Sequence, residues 1–258
     1  MKKILLTGTL ATLCIATVAF SGCVNFGGFT YDHAELYTAG NGSASGTVTD
    51  LEIDWVDGSI EIAYGDVETV TFSETSGATL DEEQTMHYWL EGTTLHLKFA
   101  QSKRGVLVKS FPKKDLKVTL PKESSLREVD IDAVDTQVNL EGISVSDLDI
   151  ETVDGNVNAY LVGTLQEISV ETVGGDVAIE SVVAPLALSF ESVGGSLTLG
   201  LGDVEGFTFE IESLGGTFTS EFETVKNGKR YVYGTGACQY EAETVGGSVR
   251  VRKLAPRD

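Results

Sequence analysis

The sequence predicts an all-β domain, a parallel β-solenoid with coils of about 20 residues, and three observations predict it. A unit recurs seven times: LEIDWVDGSIEI (51–62), VDIDAVDTQVNL (129–140), LDIETVDGNVNA (148–159), ISVETVGGDVAI (168–179), LSFESVGGSLTL (188–199), FEIESLGGTFTS (209–220) and YEAETVGGSVRV (240–251). Within each unit, apolar residues alternate with polar or small ones on both sides of a central break, the period of half-buried strands. No apolar stripe of period 3.6 runs long enough to make a helix.

Residues 1–22 come first and read as a secretory signal. Lys2 and Lys3 precede an uncharged apolar run from Ile4 to Phe20, and Ser21 and Gly22 lead into Cys23. Phe20-Ser21-Gly22-Cys23 resembles the lipobox of bacterial lipoproteins, which implies cleavage before Cys23 and a Cys23 diacylated through a thioether. Two acyl chains suffice for stable membrane attachment. The expected location is therefore the outward face of a cell membrane. Cys14 would leave with the signal, so Cys238 would stand alone, without a disulfide and as a small core residue. Residues 23–46, rich in Gly, Ser and Thr and without sustained periodicity, read as a lipid-anchored tether. The solenoid-like domain is expected over 47–258, irregular over 47–122 and regular over 123–258.

In the irregular part, VETVTFSE (67–74), TLHLKF (94–99) and DLKVTLP (115–121) read as strands. Asn227-Gly228 predicts a type I′ hairpin inside the interval between the last two units.

The second residue of each central break serves as a marker: Gly58, Thr136, Gly155, Gly175, Gly195, Gly216 and Gly247. From Thr136 to Gly216 the spacings are 19, 20, 20 and 21. Glycine at six of these positions reads as a structural turn needing positive φ. Apolar residues fill the columns seven and five before the marker and two after it. Like residues at a fixed period favour coil-on-coil stacking. The alternative is an antiparallel β-meander, because a strand, an Asp-Gly or Gly-Gly turn and a second strand also signal a hairpin.

The formal charge is −21, and removal of residues 1–22 would leave 16 basic against 39 acidic side chains. Such a balance excludes nucleic acid as a partner and argues against electrostatic adhesion to an anionic lipid surface. Part of the surplus forms a column four before the marker: Asp54, Asp132, Glu151, Glu171, Glu191, Glu212 and Glu243. It lies between inward positions and should point outward. Stacked at about 4.8 Å, neighbouring carboxylates repel by roughly 0.9 kcal/mol even at the dielectric of water. A solvated face that blocks lateral sheet pairing is the first reading of this ladder. Weak divalent-cation binding between adjacent carboxylates is the second. No calcium nonapeptide or other metal motif is present, so no metal and no cofactor is expected. Lys98, Lys103, Arg104, Lys109, Lys113, Lys114, Lys117 and Lys122 cluster in 25 positions with Asp115 the only acid. They read as lysine protection of a loop and edge strand, or as a patch for an anionic wall polymer or headgroup.

Catalysis finds little support. His33, His87 and His96 are the only histidines and lack metal-ligand spacing, and neither G-x-S-x-G nor a P-loop occurs. Paired carboxylates make carbohydrate cleavage the least weak enzymatic reading. His87, Tyr88, Trp89 and Trp55 are candidates for a sugar-binding surface, with core or edge packing as the plainer role.

A lipobox, an early VDGSIEI unit, an LKVTLP segment and tandem ETVGGDV-type units together resemble the bacterial DUF4097 family, labelled "putative adhesins". The likeness spans roughly 47–258. It implies a right-handed β-helix-like domain at the cell surface and carries no catalytic residues. The expected function is a structural or adhesin-like, non-catalytic role at the envelope, bound to the membrane by its anchor and to a cell-wall polymer or surface protein. A carbohydrate-active enzyme on a β-helix and an envelope-stress signalling accessory protein are the alternatives.

Overall fold

The structure, a computed structural model, describes residues 28–104, 112–163 and 165–254. The signal segment, Cys23 and Lys109 lie outside the described residues, as do the side chains of Lys103 and Arg104. Short strands β1 (Gly28–Phe29), β2 (Thr38–Ala39) and β3 (Gly42–Ser43) precede the long β4 (Asp50–Gly65). There follow β5 (Thr71–Ser76), β6 (His87–Glu91), β7 (Thr94–Lys98), β8 (Lys103–Arg104), β9 (Lys114–Pro121) and β10 (Leu126–Ile143). The regular part continues with β11 (Val145–Asp154), β12 (Val157–Leu161), β13 (Glu167–Thr172), β14 (Val177–Val183), β15 (Ala187–Ser192) and β16 (Leu197–Asp203). The last strands are β17 (Gly206–Ser213), β18 (Phe218–Ser220), β19 (Val225–Asn227), β20 (Arg230–Gly234), β21 (Cys238–Thr244) and β22 (Val249–Lys253).

The units stack in parallel, so the molecule is a solenoid and the meander is excluded. Leading arms pair in one ladder, Leu51 with Val129, Val129 with Leu148, Leu148 with Ile168 and Ile168 with Leu188. Trailing arms pair in a second, through Ile60, Val138, Val157, Val177 and Leu197. Because side chains alternate across a strand, equal register turns the apolar columns seven and five before the marker and two after it inward. The column seven before the marker is 0–3 % exposed throughout. Each fully buried aliphatic side chain contributes about 1.5–3 kcal/mol, so the core is a continuous apolar axis shared by all coils.

Spatial order departs from chain order at both ends. β7 and β9 stack on the two halves of β4, which makes residues 94–98 and 114–121 an eighth coil, split at its corner by 99–113. The expectation of an irregular part over 47–122 is corrected for these two segments. At the other end β21 and β22 enter between β15–β16 and β17–β18, so the coil 209–220 is outermost although it precedes 240–251. Antiparallel strands cap the stack: β6 on β7, β5 on β9, β20 on β17 and β19 on β20. The β19–β20 hairpin closes through Gly228 and Lys229. Only Gly228 has positive φ, +63°, which fits a type II′ turn with Gly at its first central position and not the expected type I′.

The described part of the expected tether, 28–46, packs on the first coils. β1 pairs with β8, β2 with β6 and β3 with β5, Phe29 is buried, and the Tyr31 hydroxyl donates to the Ala100 carbonyl at 3.2 Å.

The corners explain the glycines. Among the marker glycines only Gly58 and Gly155 have positive φ. At the others the cause is close stacking. A Cβ on Gly175 would lie 1.8 Å from the Gly155 carbonyl oxygen, one on Gly195 1.9 Å from that of Gly175, and one on Gly247 1.8 Å from that of Gly195. The residue before the marker has room, with 3.6 Å at Gly174, and Asp57 or Asp154 stands there in other units. Two polar columns lock the corner. Thr172 Oγ1 and Ser213 Oγ accept the N–H of Gly175 and Gly216 at 3.2 and 2.8 Å. After the marker, Asn156 accepts from Asp176 N–H at 3.0 Å, and Asp176 from Ser196 N–H at 2.9 Å. The first column thus pairs an amide of its own coil and the second an amide of the next coil. In the two long strands β4 and β10 the corner is continuous strand, and Trp55 and Ala133 replace the hydroxyls.

Candidate binding face: an acidic ladder beside an apolar corner

The seven acids four before the marker form one unbroken ladder. Register partners run Asp54–Asp132–Glu151–Glu171–Glu191–Glu243–Glu212. Cations close both ends. Lys98, the next rung beyond Asp54, is buried between Asp54 at 2.6 Å and Glu52 at 2.5 Å, and Lys229 pairs with Glu212. Burial disfavours the Lys98 charge, but the two carboxylates more than offset it and raise its pKa. Among the described residues no ion pair reaches Asp132, Glu151, Glu171, Glu191 or Glu243.

A parallel column, Glu52–Asp130–Asp149, lies two residues earlier on the same face and continues through Ser169 and Ser189. Glu52 is held down at about 2, chiefly by a hydrogen bond from His96 at 3.0 Å and by Lys98. Asp130 and Asp132 are instead pushed up to about 7, first by burial and then by neighbouring acids. Glu151 and Glu191 shift upward for the same reasons. The face therefore carries concentrated, incompletely screened negative charge.

Next to the ladder, at the outward corner position, the repeat places an apolar residue: Val153, Val173, Val193, Val245 and Leu214. Val173 is 36 %, Val193 44 % and Leu214 80 % exposed. The central break contains this column, yet its apolar character at an exposed corner was not singled out from the sequence; the recurring Val was the available signal. An apolar ridge rimmed by carboxylates is a surface for contact.

The other sequence candidates fall elsewhere. The basic segment dissolves into ion pairs: Lys113 with Asp57 at 2.9 Å, Lys117 with Glu61 at 2.7 Å and Lys122 with Asp66 at 3.4 Å. Lys114 is buried at the corner of the eighth coil. Its ammonium meets Glu74 at 2.7 Å, donates to the Gln84 carbonyl at 2.8 Å and to that of Phe99, and lies 4.1 Å from the Phe99 ring centre. Burial pushes it down to about 8 against the pull of Glu74. Lys98 and Lys114 are thereby removed from any surface patch, whereas Lys113, Lys117 and Lys122 stay at the surface in ion pairs. Trp55 is fully buried with its indole N–H on the Lys114 carbonyl at 2.9 Å, His87 is buried, and Tyr88 packs on Phe72. Trp89 stacks on His96 and meets Tyr37, so these aromatics are packing elements at the first coils. Cys238 is buried, as expected. No group of three or more His, Cys, Asp or Glu side chains is arranged to hold a metal ion among the described residues.

One solved structure shares the fold, and two others align with lower scores. A "putative cell adhesion protein" from Clostridium sporogenes aligns with TM-score 0.52 and 15 % identity over 84 % of this chain and 99 % of its own. A "putative adhesin" from Bacteroides fragilis aligns at 0.44 and 15 %, covering 84 % and 97 %. A "putative lipid binding protein" from Parabacteroides distasonis aligns at 0.33 and 13 %, covering 84 % and 97 %. No curated protein matches the chain. The profile described as Toastrack DUF4097 matches residues 44–252, from just before the first coil to the last strand. With its tandem coils, glycine corners and parallel ladders in register, the chain belongs to the Toastrack DUF4097 family.

Proposed function

We propose that this protein is a non-catalytic, adhesin-like binding module held outside the cell through an acylated Cys23. The observation that carries the reading is the uncompensated acidic ladder beside the exposed apolar corner, repeated coil after coil. A surface repeated from coil to coil suits an extended partner that meets several coils at once. The charge pattern calls for a cationic, partly apolar partner, in a surface protein or an amine-bearing wall polymer. A structural relative named for cell adhesion supports the same direction.

The test is a pull-down from fractionated envelope components with the intact protein and with a Glu171→Gln, Glu191→Gln, Glu243→Gln triple variant. The expected result is a partner retained by the first, lost by the second, and released by salt. Equal retention by both would place binding elsewhere. Mass spectrometry of the mature chain tests the anchor: a diacylated Cys23 at the N-terminus is expected, and an intact Lys2-Lys3 start would overturn it.

A further inference from the structure

The coil 240–251 sits between two others in identical register. Tyr240 faces Leu188 on one side and Phe209 on the other, and Val249 faces Leu197 and Phe218. Ladder and glycine columns obey the same rule, with Glu243 between Glu191 and Glu212. Gly216 approaches the Gly247 carbonyl as Gly247 approaches that of Gly195, at 1.7 and 1.8 Å for a hypothetical Cβ. Coil 209–220 therefore has every feature needed to stack directly on 188–199, as consecutive units do between 129 and 199. Phe209 would lie on Leu188, Ile211 on Phe190 and Phe218 on Leu197. The slot can close when its occupant leaves, so an opened chain does not strand two bare sheet edges.

The link to the preceding strand is short and built for a bend. β20 ends at Gly234, with φ +55°, and Gly236 follows with φ +68° before β21 begins at Cys238. An element whose docking surfaces are identical in every copy, joined by such a hinge, is what domain exchange requires. We propose that the coil formed by β21 and β22 is exchangeable between copies of this chain, one protomer inserting it between the 188–199 and 209–220 coils of a second. This holds whatever the acidic face binds.

The experiment uses the full chain with Cys14, Cys23 and Cys238 replaced by Ser. Ser189 and Glu241 are register partners on the outer face, while Ser169 stands one strand further from Glu241. Adjacent strands bring Cα atoms within disulfide range, and two strand spacings, about 9.6 Å, do not. A Ser189→Cys, Glu241→Cys chain should close internally on mild oxidation. Separate Ser189→Cys and Glu241→Cys chains, mixed, partly unfolded in urea and diluted back, should form a covalent heterodimer. Its yield should rise with protein concentration and exceed that of a Ser169→Cys and Glu241→Cys mixture by about tenfold. Internal closure without any mixed heterodimer would overturn the proposal. So would equal heterodimer in both mixtures, or a double variant that never closes.

Discussion

Replacing Gly175 with Ala isolates the reason for glycine at the corners. A Cβ there would sit 1.8 Å from the Gly155 carbonyl oxygen, and such contacts do not occur below 3.0 Å, so the coils must part by at least about 1.2 Å. That opening breaks the corner bond from Gly174 N–H to the Val153 carbonyl at 3.1 Å and strains that from Gly175 N–H to Thr172 Oγ1 at 3.2 Å. Leaving the buried Gly175 amide poorly paired costs about 1–3 kcal/mol, and the bond lost at the exposed Gly174 about 1 kcal/mol because water can replace it. The gain from stiffening the unfolded chain offsets only about 0.4–1 kcal/mol. The expected net loss is about 2 kcal/mol. Gly174→Ala is the control, because its Cβ meets nothing closer than 3.6 Å and its φ is not positive; it should be neutral or slightly stabilising. Urea unfolding at equilibrium, with the slope checked for constancy, measures both. If the two variants agree within about 1 kcal/mol, close stacking is not what glycine supplies here.

Asp130 and Asp132 hold protons up to about pH 7 when folded, against an unfolded value of 3.8, so the folded state binds more protons between those limits. Stability should therefore fall as pH rises from about 4 to 7, and Asn at either position should remove part of that slope. The gross effect is about 4 kcal/mol per carboxyl, but partial solvent contact leaves of order 1 kcal/mol, readable as the difference between melts at pH 5 and pH 8. Lys114→Met strands the Glu74 carboxylate in the core and should cost about 3–5 kcal/mol; adding Glu74→Gln should recover much of it in a double-mutant cycle. Neutralising Glu171 and Glu191 together should raise stability by about 1 kcal/mol at low salt, a gain that shrinks towards zero near 1 M salt; no salt dependence would mean the ladder is already neutralised.

Much of this molecule was readable before any coordinates. The seven units, their inward columns and the acidic ladder follow from a side-chain period of two and a repeat near 20 residues. What was misread has identifiable causes. The eighth coil escaped because 99–113 separates its arms and Lys114 occupies its marker position. Lys98 and Lys114 looked like members of a surface patch, since nothing local distinguishes a lysine that will be folded beneath Glu52, Asp54 or Glu74. The glycines were recognised but for the wrong property at Gly175, Gly195, Gly216 and Gly247, where proximity of the next coil, a non-local fact, replaces positive φ. The corner hydroxyl was present in the recurring Glu-Thr/Ser pair and, at Thr172 and Ser213, gained meaning only from its bond to the marker amide.

The seven repeated units already dictate which residues face inward and that the acids fall in one outward register. Those properties are local and periodic, and equal register propagates them. Parallel stacking rather than a meander, and the order of the coils (which unit is outermost, which is inserted, and where cations close the ladder), emerge only from long-range pairing. The repeat itself is the cause. Units that present the same columns on both faces fit one another equally well, so pairing between neighbours does not specify sequence order. The caps β5 on β9 and β20 on β17, the buried Lys114–Glu74 pair and the terminal aromatic packing make that choice, and each joins residues well separated in the chain.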